Sequence, residues 1–156
     1  MAVNKRAKLG CVLHGSGRPI IRTFPEAASQ TFKEGDLVFR SGGYLTICGS
    51  DPALILGIAM QDAHNTTAGL YNDDVLIIDG LTWILMQVYH ATPANDKIEA
   101  ADLGKLYEIA VASNCWYVDK GYTSANRVVV QQFFDPLGTI EGLVYCSVLP
   151  ANREVS

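Results

Sequence analysis

The 156 residues contain no apolar run approaching the roughly 20 that a membrane-spanning helix needs, so no membrane is expected as a partner. The first residues are basic but lead into no long apolar segment, and no secretory signal is read there. Cysteine is sparse. Cys11, Cys48, Cys115 and Cys146 form no C-x-x-C pair, which argues against a paired-thiolate zinc site. Three of them sit in apolar runs, where a thiol behaves as a small reduced hydrophobe, and this usage points to synthesis in a reducing cytoplasm. Catalytic fingerprints are missing as well. There is no G-x-S-x-G elbow and no H-E-x-x-H pair, and no Gly-Lys-Ser/Thr follows Gly15-Ser16-Gly17. His14, His64 and His90 fall in three separate segments. Asp73-Asp74 and Asp79 read as turn-capping carboxylates without a calcium-type loop. The expectation is no enzyme activity, no cofactor and no metal.

What the chain has is short apolar strands. The runs 37–40, 44–48, 54–60, 75–79, 82–89, 106–112, 115–119, 127–134 and 143–149 have strand length and composition, and Gly, Asn and Asp separate them. Hydrophobic residues make up 49% and charged residues 18%, with mean hydropathy +0.15, which excludes a disordered chain. Several strands are apolar on both faces. Such strands need cover on the second face, and a chain with few helices is expected to take that cover from another protein. The fold expected is all-β, a β-barrel or β-sandwich with hairpins, an extended N-terminal arm and at most one or two short helical turns.

Four zones are predicted. Residues 1–18 form an arm ending in a Gly15-Ser16-Gly17 hinge, with Pro19 forcing an extended entry into the body. Residues 19–90 form a first β unit and 91–149 a second, packed on the first, with the breaker-rich segment 91–97 between them. Residues 150–156 are a polar tail. Ser41-Gly42-Gly43, Asp79-Gly80 and Ser113-Asn114 are the predicted hairpin turns, Asp79-Gly80 being the strongest such signal. Pro25–Ala28 and Glu99–Leu103 are candidate single helical turns, the second ended by Gly104.

Charge is unevenly spread. Residues 1–25 hold Lys5, Arg6, Lys8, Arg18 and Arg22 with no acid, a net +5; the rest carries seven basic and sixteen acidic residues, a net −9. A basic arm on an acidic body is a layout for binding a partner. Nucleic acid is not the expected one, because the basic run is short, lacks interleaved aromatics, and the body repels phosphate. The candidate partner-binding residues are Lys5, Arg6, Lys8, Val12, Leu13 and Arg18, on an arm expected to be dispensable for folding. Trp116 and Tyr117 flank a predicted hairpin turn, where exposed aromatics anchor interfaces, and they are the candidate oligomer contacts.

Gly35-Asp36-Leu37-Val38, Leu56-Gly57-Ile58-Ala59-Met60 and the run Asp74–Ile78 ahead of Asp79-Gly80 resemble the strand pattern of tailed-bacteriophage capsid decoration proteins. Asp102-Leu103-Gly104-Lys105, Trp116-Tyr117-Val118-Asp119, Asn126-Arg127-Val128 and Gly142-Leu143-Val144-Tyr145 are similar to the second half of such head proteins. The resemblance covers residues 35–149 and leaves the arm outside. It implies a structural cement protein, made in the host cytoplasm and placed on the outer capsid surface of the virion. Its partners would be the major capsid protein and further copies of itself, often as a homotrimer. A phage tail or baseplate β-module is the alternative, and a small β-barrel hydrolase built by spatial convergence is the more distant one.

Overall fold

The computed structural model describes residues 12–112, 115–122 and 124–154, and for Val12 and Leu13 the backbone alone. Eleven strands form two sheets. In chain order they are β1 (Val12–His14), β2 (Ile21–Pro25), β3 (Leu37–Ser41), β4 (Tyr44–Ile47), β5 (Gly57–Ala59), β6 (Asn72–Ile77), β7 (Thr82–Tyr89), β8 (Leu106–Ala112), β9 (Cys115–Asp119), β10 (Val128–Phe133) and β11 (Leu143–Val148). The only helical pieces among the described residues are three single 3-10 turns, Pro93–Asn95, Ala100–Asp102 and Pro150–Asn152. The all-β expectation is met, and the barrel is closed. Glu99–Leu103 contains its expected turn, while Pro25 instead ends β2 and Glu26 bridges to Leu45.

Strands β7-β11-β10-β8-β9 form the barrel, and parallel pairing of β7 with β9 closes it. Side chains alternate, as the two-residue period of a strand requires. Ile84, Met86 and Val88 of β7, Tyr107 and Ile109 of β8, Trp116 and Val118 of β9, Val128 and Val130 of β10, and Val144, Cys146 and Val148 of β11 fill the interior. The second sheet runs β2-β6-β5-β3-β4, wholly antiparallel, and curls until Glu26, just beyond β2, bridges Leu45 of β4. Val38, Leu45, Leu56, Ala59, Val75 and Ile77 pack with Phe32 on one of its faces. Leu37, Ile58, Leu76 and Ile78 turn the other way and join the barrel's own core.

This arrangement corrects two expectations. The second face of β3, β5 and β6 is covered by the barrel core of the same chain, so their apolarity calls for no partner protein. The division after residue 90 is also not where the sheets part. β7 lies in the barrel with the second-half strands, and β1 joins it there, so chain order and sheet membership cross. Asp79-Gly80 is correspondingly no hairpin. β6 and β7 do not pair; the chain turns a corner between sheets, and Gly80 is small enough to admit Arg153, whose guanidinium would lie 2.6 Å from a Cβ. Gly42-Gly43, both at positive φ, do turn the β3–β4 hairpin. Residues 113–114, expected to turn β8 into β9, lie outside the described residues.

The C-terminal residues are not a free tail. Arg153 bridges Ile55, Asn152 donates to the Ala53 carbonyl at 2.9 Å, and Glu154 holds Arg40 through its Nε at 2.6 Å and its backbone N–H at 2.8 Å. In the barrel half, buried Asp102 accepts hydrogen bonds from the Tyr107 hydroxyl and the Lys120 ammonium, the latter at 2.9 Å. That charge pair is hydrogen-bonded on several sides, as a buried ion pair must be.

Gly57 has a specific job. A Cβ there would lie 2.1 Å from the Leu76 carbonyl oxygen and 2.6 Å from Val75 Cγ1, in the tightest part of the second sheet. Overpacking a core costs roughly 1–3 kcal/mol, and a clash with backbone falls at the upper end. Gly57→Ala is expected to lower the thermal midpoint by about 6–10 °C in calorimetry; an unchanged midpoint would show that the strand relaxes freely.

Candidate functional site

The strand nearest the basic segment is β1, and its pairing with β7 places His14 at one end of the barrel wall. Val12, Leu13 and His14 pair antiparallel with Ile84, Trp83 and Thr82, while Gly15 N–H donates to the Leu81 carbonyl at 3.0 Å. Among the described residues nothing pairs the other edge of β1. The imidazole of His14 closes this end: its Nε2 lies 3.0 Å from Asp79 Oδ2 and its Nδ1 2.7 Å from Ser16 Oγ. Asp79 also accepts from Leu81 N–H and the Thr82 hydroxyl. Burial works against its charge, but these bonds outweigh burial and hold the carboxyl below its usual range. The expected arm is therefore docked from Val12 onward, as an edge strand of the barrel rather than as a free extension.

Beside β1 the barrel wall carries aromatics. The Trp83 and Tyr145 rings lie 6.5 Å apart, and Phe134 meets Tyr145 edge-on at 6.0 Å. A depression of about 410 Å³ lined by His14, Gly15, Leu81 and Trp83 adjoins them. Phe134, Leu137 and Ile140, in the connection from β10 to β11, are 56%, 57% and 68% exposed.

The sequence-derived residues fall unevenly. Lys5, Arg6 and Lys8 lie outside the described residues, as does Cys11. Val12 and Leu13 are placed by their backbone in β1. Arg18 is exposed, its backbone tied to Ser16 Oγ. Trp116 and Tyr117 are not surface anchors: they are 5% and 8% exposed. The reason is topological, since β9 is flanked by β8 on one side and β7 on the other. Trp116 points into the barrel, and Tyr117 packs edge-on against Tyr89 at 5.3 Å. Cys48, Cys115 and Cys146 are buried, and burial pushes the thiols of Cys48 and Cys146 far up, which makes them poor nucleophiles.

A second constellation escapes sequence reading. Glu26, after β2, and Asp73, in β6, are 1% and 0% exposed, and His64 comes to them from the loop between β5 and β6. Glu26 accepts backbone N–H groups of His64 at 2.9 Å and Asn65 at 3.2 Å, and His64 Nδ1 lies 2.9 Å from its Oε2. Asp73 Oδ1 accepts from Gln61 Nε2 at 2.8 Å and lies 3.6 Å from His64 Nδ1. Tyr71 stacks flat on the His64 ring at 3.8 Å. The three residues are separated by 38 and 9 positions, so no spacing rule links them. The one available signal is an acidic residue where β6 should bury its side chain.

Burial opposes the charge on Glu26, yet hydrogen bonds from the His64 ring, Asp73 and the His64 backbone hold it below its usual range. Burial, and then the neighbouring Glu26, push Asp73 up to about 6. Below about pH 4 Asp73 is protonated both folded and unfolded. Between 4 and 6 the unfolded chain releases the proton and the folded chain keeps it, so this group's contribution to stability falls as pH rises.

A scan against known protein families finds no match, and a search of the curated proteins finds none similar.

In chelator-containing buffer Asp73→Asn is expected to be more stable than wild type at pH 8, by about 2 kcal/mol, with the gap narrowing toward pH 4.5. Urea denaturation at both pH values checks this, and a gap independent of pH would assign the effect to packing.

Proposed function

We propose that this is a structural binding protein, a capsid decoration protein of a tailed bacteriophage that stabilises the outer surface of the head. The observation that supports this most is the placement of β1. It is a barrel edge strand with one side unpaired among the described residues, it continues from the basic N-terminal segment, and it adjoins the Trp83–Tyr145–Phe134 aromatics. An open strand edge offers backbone donors and acceptors to a partner chain. Lys5, Arg6 and Lys8 just ahead of it would steer the protein toward an acidic surface. The proposed partner is the major capsid protein. Each copy makes a modest contact, and repetition over a particle makes the sum large.

Self-association into a trimer belongs to the same proposal. The faces of β3, β5 and β6 do not support it, since they pack within the chain. What supports it is the concentration of exposed apolar side chains at Phe134, Leu137 and Ile140.

Removal of residues 1–11 is expected to leave the thermal midpoint unchanged within about 2 °C, because it takes nothing from the β1–β7 ladder. It should reduce retention on purified heads at least tenfold, and retention of the full chain should weaken as salt rises. Equal retention of both proteins at low and high salt, measured by co-sedimentation, would overturn the docking role of this segment.

Leu137→Asp with Ile140→Asp changes only exposed positions, so folding is expected to survive. Sedimentation equilibrium at micromolar concentration should give about three times 16.9 kDa for wild type and a monomer for the double variant. A wild-type monomer in solution would leave no free trimer to propose.

A further inference from the structure

The cluster of Glu26, His64 and Asp73 contains more negative charge than its hydrogen bonds compensate. Two carboxylates that are essentially fully buried face one imidazole, and Asp73 Oδ2 is buried with no hydrogen-bond donor. An orphaned carboxylate oxygen in such a place costs free energy unless a cation or proton meets it. The other groups are already committed to holding ligands in place. Backbone N–H groups of His64 and Asn65 fix Glu26, Gln61 fixes Asp73 through Oδ1, and Tyr71 fixes the plane of the His64 ring. The ligand-capable atoms of all three lie within 4.8 Å of one another.

We propose that Glu26, His64 and Asp73 bind one divalent transition-metal ion of the zinc class. The geometry suits it. Bonds of about 2.0–2.1 Å from a tetrahedral ion place neighbouring ligand atoms about 3.3–3.4 Å apart. His64 Nδ1 stands 2.9 Å from Glu26 Oε2 and 3.6 Å from Asp73 Oδ1, on either side of that separation. An imidazole nitrogen with two carboxylates fits zinc rather than calcium, which takes six to eight oxygens. Two carboxylates balance the double charge, and the imidazole ligates as the neutral ring through Nδ1. The His64 side chain is 34% exposed, which gives the ion an entry path and leaves a fourth position for water. The role is structural: the ion pins the loop carrying Gln61 and His64 to β2 and β6. It does not depend on the capsid reading.

The test uses the full chain, stripped with a chelator and titrated with zinc chloride. Calorimetry should give one ion per chain, and a hundredfold excess over Kd should raise the thermal midpoint by about 5–10 °C. Asp73→Asn and His64→Ala should each weaken zinc binding at least tenfold, while His90→Ala, remote from the cluster, should bind as wild type does. Circular dichroism checks that the variants fold. If one does not, cobalt(II) on the wild-type chain decides, since a saturable one-to-one visible spectrum reports tetrahedral nitrogen and oxygen ligation. No midpoint shift with zinc would show that the carboxylates share only a proton, and an equal shift in all variants would show surface histidine binding. Either result, or the absence of the cobalt spectrum, overturns the proposal.

Discussion

The architecture depends on one short stretch of parallel pairing. Gln87, Val88 and Tyr89 at the end of β7 meet Tyr117, Val118 and Asp119 of β9, and this ladder turns a sheet into a barrel. β7 can do this because it is eight residues long and divides one edge between two neighbours, β1 at its start and β9 at its end, while β11 takes the other edge. Closure fixes which side chains are interior. It buries Trp116 and provides the surface on which the second sheet packs through Leu37, Ile58, Leu76 and Ile78. Without the ladder, β7 and β9 would be open edges with apolar side chains on both faces, the arrangement most prone to unwanted pairing.

Strand positions are largely legible in the sequence because alternation and apolar content are local properties. β7, β8, β9 and β11 lie close to where the sequence places them, and the Gly42-Gly43 turn does what two residues at positive φ imply. Partnership is not legible. Asp79-Gly80 has hairpin composition, yet a corner between sheets uses the same residue types, because both need a tight reversal and a capping carboxylate. Trp116 and Tyr117 look exposed if β8 and β9 form an isolated hairpin; the β7–β9 ladder, which brings together residues about thirty apart, turns Trp116 into the barrel and sets Tyr117 against Tyr89 on the other face. The segment at 91–97 does break the pattern, but a break in pattern marks a loop without saying which sheet lies on either side.

The candidate cluster shows the same limit from the side of chemistry. Asp73 beside Asp74 reads as a polar pair capping a turn, whereas in β6 the two point to opposite faces, Asp73 inward and Asp74 toward Thr23. A carboxylate kept inside a strand conflicts with the burial pattern around it, and such local conflicts are where function or an added ligand is worth seeking. Glu26 reaches the cluster through its bridge to Leu45, a long-range pairing that no spacing in the sequence announces.

The two ends of the described chain cross over. β1 comes early in sequence and pairs with the barrel of the second half, while residues 152–154 come last and latch onto Ile55, Ala53 and Arg40 in the sheet of the first half. On a ribosome this has a consequence. β1 emerges some seventy residues before its partner β7, and the second sheet stays unlatched until residues 152–154 have been made. The barrel cannot be completed until β11 has been made, and β1 waits without its partner while some seventy residues are added. Long-range pairing of this kind folds slowly. The apolar barrel strands are therefore most open to unwanted pairing in the interval before β11 is made.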